Sequence, residues 1–564
     1  MKLFSRLPRQ FDFPKSPRRA AWAIERLEPR RLLSVVVPQP IGNQTFAQGS
    51  GSPAADLNNF FEDNFTLQQD LTFTATSDNT ALVNPTISGS VLTLNVAPAG
   101  SGYAHIHVVA ADPFGNQASD SFRVKITAAA NRSLDVPIGP GHDTFAFSGP
   151  NHTAASITLL GPGSGTIHIG GDGLLLAGDR TEGSNQELES ISLTGTTASS
   201  TLLITGQIHH GHIPMIGDIS SDGPLASIHI KGAELAGDLN ITGAVHGVNI
   251  DFAASGSINL GATTTPMMIH ATSFADENFA AAAPVKFLSV TQWVNSDSIS
   301  ETFAASYVHR LIARGSFEPG LQLSGTGAPA RMLGIDQIGG FVGGAWKIPG
   351  ASAPLHIGGA APDFNANIGS VQSVTVAGVF DGALTTPSLH FITIGGAMNF
   401  ATLNLTAPGT TDLDRLTVRG GLLGSSITST GNLGRIITLD MNESRIFAGI
   451  GPLSSGQSLP TGTADLSGSA RIGSILVRPN RKVVGFLGSD VAATSIGVLD
   501  MGTTRTANSG VPFGVAAVQI GHLSGHDQTQ HRFLTFNNIQ DPATLAALIA
   551  AEGLKLGDFV IRVL

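Results

Sequence analysis

One pattern of apolar and polar positions recurs through most of the chain after residue 135. It begins with an apolar residue and two variable residues. Two further apolar residues follow, with one variable residue between them. After one more variable residue, the pattern ends in a glycine. Because side chains two positions apart lie on the same face of a strand, the last two apolar residues predict one buried strand face. Clear copies of the pattern begin at Leu188, Leu225, Val371, Leu389 and Leu413.

The spacing of these copies predicts a stack of similar short turns. The copies at Val371, Leu389 and Leu413 begin 18 and 24 residues apart, a spacing typical of one turn of a right-handed parallel β-helix. Each unit has an apolar face too small to be stable alone, and stacking buries these faces in a continuous core. The recurring glycine indicates either a positive φ or a close neighbouring backbone. A series of β-sandwiches or a propeller is the alternative architecture.

The segment before the repeats alternates in the manner of short antiparallel strands. The clearest alternation lies in Leu71–Thr76, Val91–Val96, His105–Ala110 and Ser121–Ile126. About seven short strands in roughly 90 residues predict a β-sandwich over residues 37–128.

This segment resembles bacterial cadherin-like and immunoglobulin-like modules. The resemblance rests on the stretches Asp56–Phe60, Ala110–Gly115 and Ser119–Ile126. Some relatives of that kind bind calcium between modules, and calcium requires oxygen ligands. The alternative is a solvated loop with an Asp-capped turn. The acidic side chains that the resemblance offers as calcium ligands are Asp56, Glu62, Asp63 and Asp112.

The first 34 residues carry nine Lys or Arg against three Asp or Glu, a local balance of +6 in a chain of net charge −10. They end in a stretch that resembles the LEPR-xLL motif found near the N-termini of bacterial surface and secreted proteins. This resemblance implies a secreted or cell-surface location. The alternative is a basic tail that contacts nucleic acid or membrane. The rest of the chain is acidic, however, and lacks the basic surface that nucleic acid binding requires. The matching residues are Leu27, Glu28, Pro29, Arg30, Leu32 and Leu33.

Composition narrows the remaining possibilities. The 564-residue chain has no cysteine, which excludes disulfides, thiolate metal sites and cysteine nucleophiles. No run of about 18 apolar residues occurs, so no transmembrane helix is expected. With 68 glycines, 13% charged and 41% hydrophobic residues, the chain is typical of all-β structure with tight turns rather than of disorder.

Candidate catalytic or metal-binding residues are few. The chain has no serine elbow with credible partners and no phosphate-loop pattern. The first of two histidine groups lacks a nearby carboxylate and predicts a polar loop or the edge of a turn. The second lies among Gly521, Ser524 and Gly525, which also predicts a loop. These groups are His209, His210 and His212, and then His522, His526 and His531.

The last residues predict a different element. Asp541 is a helix N-cap followed by proline at the first helical position. Thr544–Ala551 favours a helix that Gly553 ends, and Phe559–Leu564 resembles a final strand. Such a helix and strand would cover the open end of a solenoid.

These observations predict an all-β protein whose N-terminal cadherin-like or Ig-like β-sandwich is followed by a Gly-rich parallel β-helix-like solenoid. The expected segments are a basic sorting segment at 1–36, the β-sandwich at 37–128, solenoid repeats at 135–535 and a helix–strand cap at 536–564.

The predicted function is that of an exported cell-surface or extracellular structural or adhesion protein, with no catalysis and no catalytic residues. The expected partners are extracellular matrix, an envelope polymer or other surface proteins, and not nucleic acid. The expected cofactor is none, apart from calcium. The alternative is a β-helix lyase or hydrolase acting on extracellular polysaccharide.

Overall fold

A computed structural model describes residues 35–564 apart from 64–66, 68–69, 99, 129–132, 142–143, 150–151, 178–179, 408–410 and 480–483. The residues matching the LEPR-xLL motif lie outside the described residues, so the sorting segment stays a prediction. The chain is all-β, with 60% of residues in strands and 4% in helices.

Two small sheets and one strand pair form the N-terminal module. One sheet has the strand order β2-β9-β8-β5, the other has the order β3-β7-β6, and β1 pairs with β4. A 3-10 helix spans Leu57–Asn59. The strands are β1 (Val35–Val36), β2 (Gln44–Ala47), β3 (Ala54–Asp56), β4 (Glu62–Asp63), β5 (Thr72–Ser77), β6 (Val83–Ser88), β7 (Val91–Val96), β8 (Gly102–Ala111) and β9 (Gln117–Thr127).

Both sheets of the N-terminal module bury residues in one apolar core. Ile106 and Val124 from the first sheet and Val83 and Leu92 from the second belong to the same buried cluster. The alternation seen in the sequence accounts for this, because every second side chain of a strand faces the core.

The remaining strands form one continuous ladder of 38 strands. Its first half comprises β10 (Ser133–Ile138), β11 (Thr144–Ser148), β12 (Ala154–Leu160), β13 (Ser164–Ala177), β14 (Arg180–Thr194), β15 (Thr201–Gln207), β16 (Met215–Ser221), β17 (Leu225–Leu235), β18 (Leu239–Ile241), β19 (Val245–Ala254), β20 (Ser257–Leu260), β21 (Met267–Ala275), β22 (Asn278–Ala281), β23 (Val285–Val294), β24 (Thr302–Ala305), β25 (Val308–Ala313), β26 (Gly320–Leu323), β27 (Arg331–Ile338) and β28 (Ala345–Ser352).

The second half of the ladder comprises β29 (Leu355–Ile357), β30 (Asn365–Ser370), β31 (Ser373–Val376), β32 (Ala383–Thr386), β33 (Leu389–Ile394), β34 (Met398–Asn399), β35 (Thr402–Leu405), β36 (Thr411–Val418), β37 (Leu422–Leu423), β38 (Ser426–Ser429), β39 (Asn432–Thr438), β40 (Met441–Asn442), β41 (Arg445–Ala448), β42 (Arg471–Val477), β43 (Phe486–Leu487), β44 (Asp490–Thr504), β45 (Phe513–Asp527), β46 (Arg532–Ile539) and β47 (Phe559–Val563). The described residues also form a 3-10 helix at Thr463–Asp465 and the helix α1 (Pro542–Ala551).

The ladder is a β-solenoid of about 15 turns from residue 215 to 527. The predicted repeat positions stack in register along it. Val374 lies beside Ile392, and Ile392 lies beside Leu416 in the next turn. The same column continues through Ile436 and Ile475. All five side chains are at most 5% exposed, so the repeat builds the continuous core that the sequence predicts.

Close packing between turns requires the glycine that ends the repeat in four of the five clear copies, whereas at Gly195 a φ of +62° is the reason. A Cβ placed on Gly396 would lie 2.8 Å from the Val379 backbone nitrogen, and one placed on Gly420 would lie 2.7 Å from the Ala397 backbone nitrogen. Real Cβ atoms essentially never approach backbone this closely. At Gly232 a φ of +62° adds the second reason for glycine.

A column of aromatic rings fills the middle of the solenoid. Trp293 packs edge-on against Phe274, Phe303 and Phe317, with ring centroids 4.8 to 5.8 Å apart. Phe317 continues the column to Trp346 at 5.9 Å. Both tryptophans are at most 2% exposed, so their rings pack inside the core.

Different elements cover the two ends of the stack. At the N-terminal end, β10 pairs antiparallel with β13, and β12 pairs antiparallel with β15. The predicted solenoid start at residue 135 therefore falls among antiparallel strands, before the first regular turn. At the C-terminal end, β46 lies antiparallel to β45. The predicted helix is present, and Asp541 accepts a hydrogen bond from the Thr544 N–H at its start. Among the described residues, no helix is long and apolar enough to span a membrane.

Candidate functional site

Strand β9 of the N-terminal module lies along one edge of the solenoid. Its two faces contact different parts of the molecule because side chains alternate along a strand. The face toward the module core carries Ala118, Phe122, Val124 and Ile126. On the opposite face, the side chains of Arg123 and Lys125 contact the solenoid. Ser119 and Ser121 contact it through their backbone N–H groups.

The basic half of this junction consists of two ion pairs. Arg123 Nη2 lies 3.1 Å from Asp238 Oδ2, and Lys125 Nζ lies 2.5 Å from Asp218 Oδ2. Both cations also lie 5.5 Å from the ring centre of Tyr103. Burial raises the pKa of Tyr103 to about 12, with a further contribution from the charge of Asp218. Tyr103 therefore stays neutral as it donates a hydrogen bond across the junction to the Glu189 carbonyl of β14.

A fully buried carboxyl group lies beside the Arg123 pair. Glu277 is 0% exposed, and its Oε2 accepts a 3.1 Å hydrogen bond from the Gly256 N–H. Its Oε1 has no hydrogen-bond partner among the described residues. Burial raises the pKa of Glu277 well above the ordinary glutamate value, so the folded state favours the protonated form of this group.

The other half of the junction is held by hydrogen bonds that backbone N–H groups donate. Ser121 N–H donates to Asp297 Oδ2 at 2.9 Å. Ser298 N–H donates to the Ser119 carbonyl at 2.8 Å, and Ser119 N–H donates to Ser298 Oγ at 3.0 Å. The module thus docks on the loop between β23 and β24.

Three carboxyl groups meet at this loop. The oxygens of Asp276, Asp297 and Glu301 all lie within 4.8 Å of one another. Asp276 follows β21, whereas Asp297 and Glu301 follow β23. Because Ala275 at the end of β21 pairs with Val294 at the end of β23, the two corners stack in adjacent turns. These three residues are called the acidic cluster below.

The acidic cluster is held in place by backbone and hydroxyl groups. Ser296 N–H donates to Asp276 Oδ1 at 2.6 Å, and Ile299 N–H donates to Asp297 Oδ1 at 2.8 Å. Glu301 is 4% exposed. Among the described residues, no Lys or Arg forms an ion pair with these three carboxyl groups.

The environment of the acidic cluster disfavours charge. Burial raises the pKa of Glu301 to about 8, and the charge of Asp297 adds to the effect. Burial raises the pKa of Asp297 to about 7, against the lowering effect of the Ile299 N–H and with a contribution from Asp276. Without a cation, the cluster therefore holds protons near neutral pH.

The calcium ligands expected from the sequence have local roles. Asp112 Oδ1 accepts hydrogen bonds from the Phe114 and Asn116 N–H groups, both at 2.8 Å, so it caps its own turn. Asp56 Oδ1 accepts from the Asn58 N–H at 3.1 Å at the start of a 3-10 helix. These are the capping roles of the alternative interpretation.

The other two expected ligands, Glu62 and Asp63, lie in β4 opposite Val36 and Val35 of β1. Within the described part of the chain, the four expected residues do not form a group of three ligands within 4.8 Å, whereas the acidic cluster does. Calcium binding at the four expected residues stays a prediction.

The first histidine group lies in a tight turn. His209 N–H donates to the His212 carbonyl at 3.0 Å, and His212 N–H donates back at 2.9 Å. His210 lies in the turn with a φ of +49°. The sequence-based expectation of a polar loop agrees with this turn.

For the second histidine group the loop prediction is wrong at its first two members. His522 and His526 lie inside strand β45. The neighbouring glycine is needed by packing rather than by a loop, because a Cβ on Gly521 would lie 2.6 Å from the Gly497 carbonyl oxygen. His522 Nδ1 is 2.7 Å from Asn537 Oδ1 on the next strand.

Sequence reasoning missed the acidic cluster, although a signal was present. Glu277-Asn-Phe-Ala-Ala281 and Glu301-Thr-Phe-Ala-Ala305 repeat one another 24 residues apart. This is a spacing of one turn, and Phe279 and Phe303 do pair in the ladder. The repeat places Glu301 one turn after Glu277, whose neighbour in the sequence, Asp276, belongs to the acidic cluster.

No protein-family model matches the chain, and no curated protein matches it. The solenoid and the residues of the junction are therefore the basis for assigning a function.

Proposed function

We propose that the chain is an exported bacterial cell-surface or extracellular protein with a structural or adhesive role and no catalysis. The observation that carries this proposal is the continuous ladder of 38 strands with its buried aromatic column. Each turn contacts mainly its neighbours, so the ladder supplies length and surface rather than an enclosed active site.

The module and the N-terminal segment support the proposal from the sequence side. Two sheets around one core are compatible with the cadherin-like or Ig-like β-sandwich, which stays a prediction. The LEPR-xLL resemblance is the basis for the proposed location. The proposed partners are extracellular matrix, an envelope polymer or other surface proteins.

Aromatic side chains favour this function over sugar processing. Sugars commonly stack on exposed Trp or Tyr, yet Trp293, Trp346 and Tyr103 are at most 2% exposed. These three side chains pack in the solenoid core or at the junction, so they offer no stacking surface to a sugar.

The second candidate is a β-helix lyase or hydrolase acting on extracellular polysaccharide. The acidic cluster favours it, because a glutamic acid with a pKa of about 8 is a proton donor at neutral pH. Against it, Glu301 is 4% exposed, and β9 of the module holds the neighbouring Asp297. A polymer chain has poor access to such a group.

Two experiments test the proposal. Antibodies against the solenoid should label intact cells of the source bacterium or detect the protein in its culture medium. The double variant Pro29→Ala with Arg30→Ala should remain inside the cells. Labelling only after lysis would exclude the proposed location.

The second experiment is a turnover assay of the purified protein on a panel of acidic and neutral glycans. No turnover is expected. Cleavage that disappears in the Glu301→Gln variant would establish the enzyme instead.

A further inference from the structure

Two arginines lie side by side on an outer face of the solenoid. Arg415 of β36 pairs in register with Arg435 of β39, one turn further along, and both residues are exposed. Neighbouring strands of a sheet lie about 4.8 Å apart, so the two side chains project from adjacent positions. Like charges that lie directly opposite each other in a sheet are destabilising. The stability of the solenoid therefore does not account for this pair.

An earlier turn shows how an arginine at this position can be neutralised. Arg310 occupies the same place in its repeat, two residues after the first apolar residue of the unit, and forms an ion pair with Asp336. Among the described residues, neither Arg415 nor Arg435 forms an ion pair. The charges of these two arginines are therefore available to a ligand.

The carboxylates near this pair are bound to other side chains. Asp414, which precedes Arg415 in the chain, has its Oδ2 2.8 Å from Nδ1 of His390. Asp500, two turns beyond Arg435 on the same face, forms an ion pair with a different arginine. A local excess of positive charge thus remains in a chain whose net charge is −10.

The same face continues in both directions. In the preceding turn, Phe391 pairs with Arg415 and is 53% exposed. Two turns beyond Arg435, the side chain of Arg471 lies over Gly497, because a Cβ placed on that glycine would be 3.0 Å from Arg471 Nη2. Arg415, Arg435 and Arg471 are called the arginine strip below.

The chemistry of this face fits a chain of sugars that carries acidic groups. Guanidinium groups bind carboxylates and similar oxyanions through charge-assisted hydrogen bonds that are often bidentate. Thr393 and Thr417 pair with each other beside Phe391 and Arg415, and their hydroxyl groups can exchange hydrogen bonds with those of a sugar. The exposed ring of Phe391 offers an apolar surface to the apolar face of a sugar ring.

Other polymers fit this face less well. Proteins that bind a DNA duplex through its backbone commonly contact about 6–10 phosphates, whereas the arginine strip has three cations. An extended peptide usually adds to an open sheet edge. Here β36 and β39 are paired on both sides, so only the face of the sheet is available.

We infer that the arginine strip binds an anionic polysaccharide. Its carboxylate or sulfate groups contact Arg415 and Arg435, its sugar rings lie against Phe391, and the polymer lies across the stacked turns. The inference rests on the proposed function, because it specifies the extracellular polymer to which an adhesive solenoid attaches.

The test measures binding of the purified full chain to polygalacturonate, to dextran sulfate and to neutral dextran by biolayer interferometry. The native chain should bind at least one of the acidic polymers, more weakly as sodium chloride is added, and should not bind neutral dextran. Arg415→Gln with Arg435→Gln should weaken this binding roughly 10-fold or more. The melting temperature of this variant should be unchanged or higher, because a like-charge contact is removed.

The matched control is Arg310→Gln with Arg314→Gln, which removes the same charge from exposed residues of an earlier turn and should bind like the native chain. The inference is overturned if the native chain binds neither acidic polymer, or if the two double variants bind equally. Tighter binding of single-stranded DNA than of either polymer would also overturn it. Because the assay uses purified protein, its failure is separate from a failure of the proposed location, which antibody labelling decides.

Discussion

The backbone N–H of Ser121 donates a 2.9 Å hydrogen bond to Oδ2 of Asp297, a residue 176 positions later in the chain. One oxygen of Asp297 thus joins the module to the solenoid, while the carboxyl group as a whole belongs to the acidic cluster. The charge on this corner and the docking of the module are therefore linked.

This link predicts a pH-dependent stability in EDTA. Asp297 and Glu301 have folded pKa values of about 7 and about 8, above the unfolded values of about 4. The folded state binds more protons than the unfolded state. The contribution of these two groups to the free energy of unfolding is therefore fully present below about pH 4 and is lost as the pH rises through about 7 to 8. Thermal melts from pH 5 to pH 9 should show this fall, and Asp297→Asn with Glu301→Gln should flatten it. Superimposable profiles would contradict the prediction.

A second prediction compares two arginines. Arg123 has an 8% exposed side chain in its pair with Asp238, whereas Arg310 has a 54% exposed one in its pair with Asp336. Arg123→Ala leaves a partly buried carboxylate unpaired and should cost about 3 kcal/mol, whereas Arg310→Ala should cost less than about 1 kcal/mol. Urea unfolding of both variants measures the difference. Equal losses would show that the junction pair contributes little.

The glycines of the repeat allow a matched test of packing between turns. Gly396→Ala places a Cβ 2.8 Å from the Val379 backbone nitrogen, whereas a Cβ on Gly462 meets nothing within 4 Å. The first substitution should destabilise the solenoid by about 1–3 kcal/mol, and Gly462→Ala should be nearly neutral. Differential scanning calorimetry of the two variants decides. A neutral Gly396→Ala would mean that neighbouring turns separate easily.

The aromatic column predicts a large cost at its centre. Trp293 is 0% exposed, so Trp293→Ala should cost about 3–5 kcal/mol through cavity formation. Trp293→Phe should cost less, because it keeps a ring and removes an indole N–H that has no partner among the described residues. Phe400, 67% exposed, is the control, and Phe400→Ala should be nearly neutral. Chemical denaturation of the three variants should give this order.

The repeat pattern predicted the core of the solenoid well for a physical reason. In a stack, each residue packs mainly against the equivalent residue one turn away, so a local sequence pattern determines a column of contacts. Val374, Ile392 and Leu416 were identified from spacing alone and do form such a column. The final helix was predictable likewise, because its Asp541 cap and Pro542 start are local signals.

The strand class, the buried face of each repeat and the positions where glycine is required can be deduced from the order of amino acids, because they follow from side-chain alternation and from contacts between neighbouring turns. The proximity of Asp276, Asp297 and Glu301 beside β9 is seen only in the folded molecule. Their proximity depends on the register between turns of unequal length and on the docking of a module far away in the chain, and hydrophobic periodicity encodes neither.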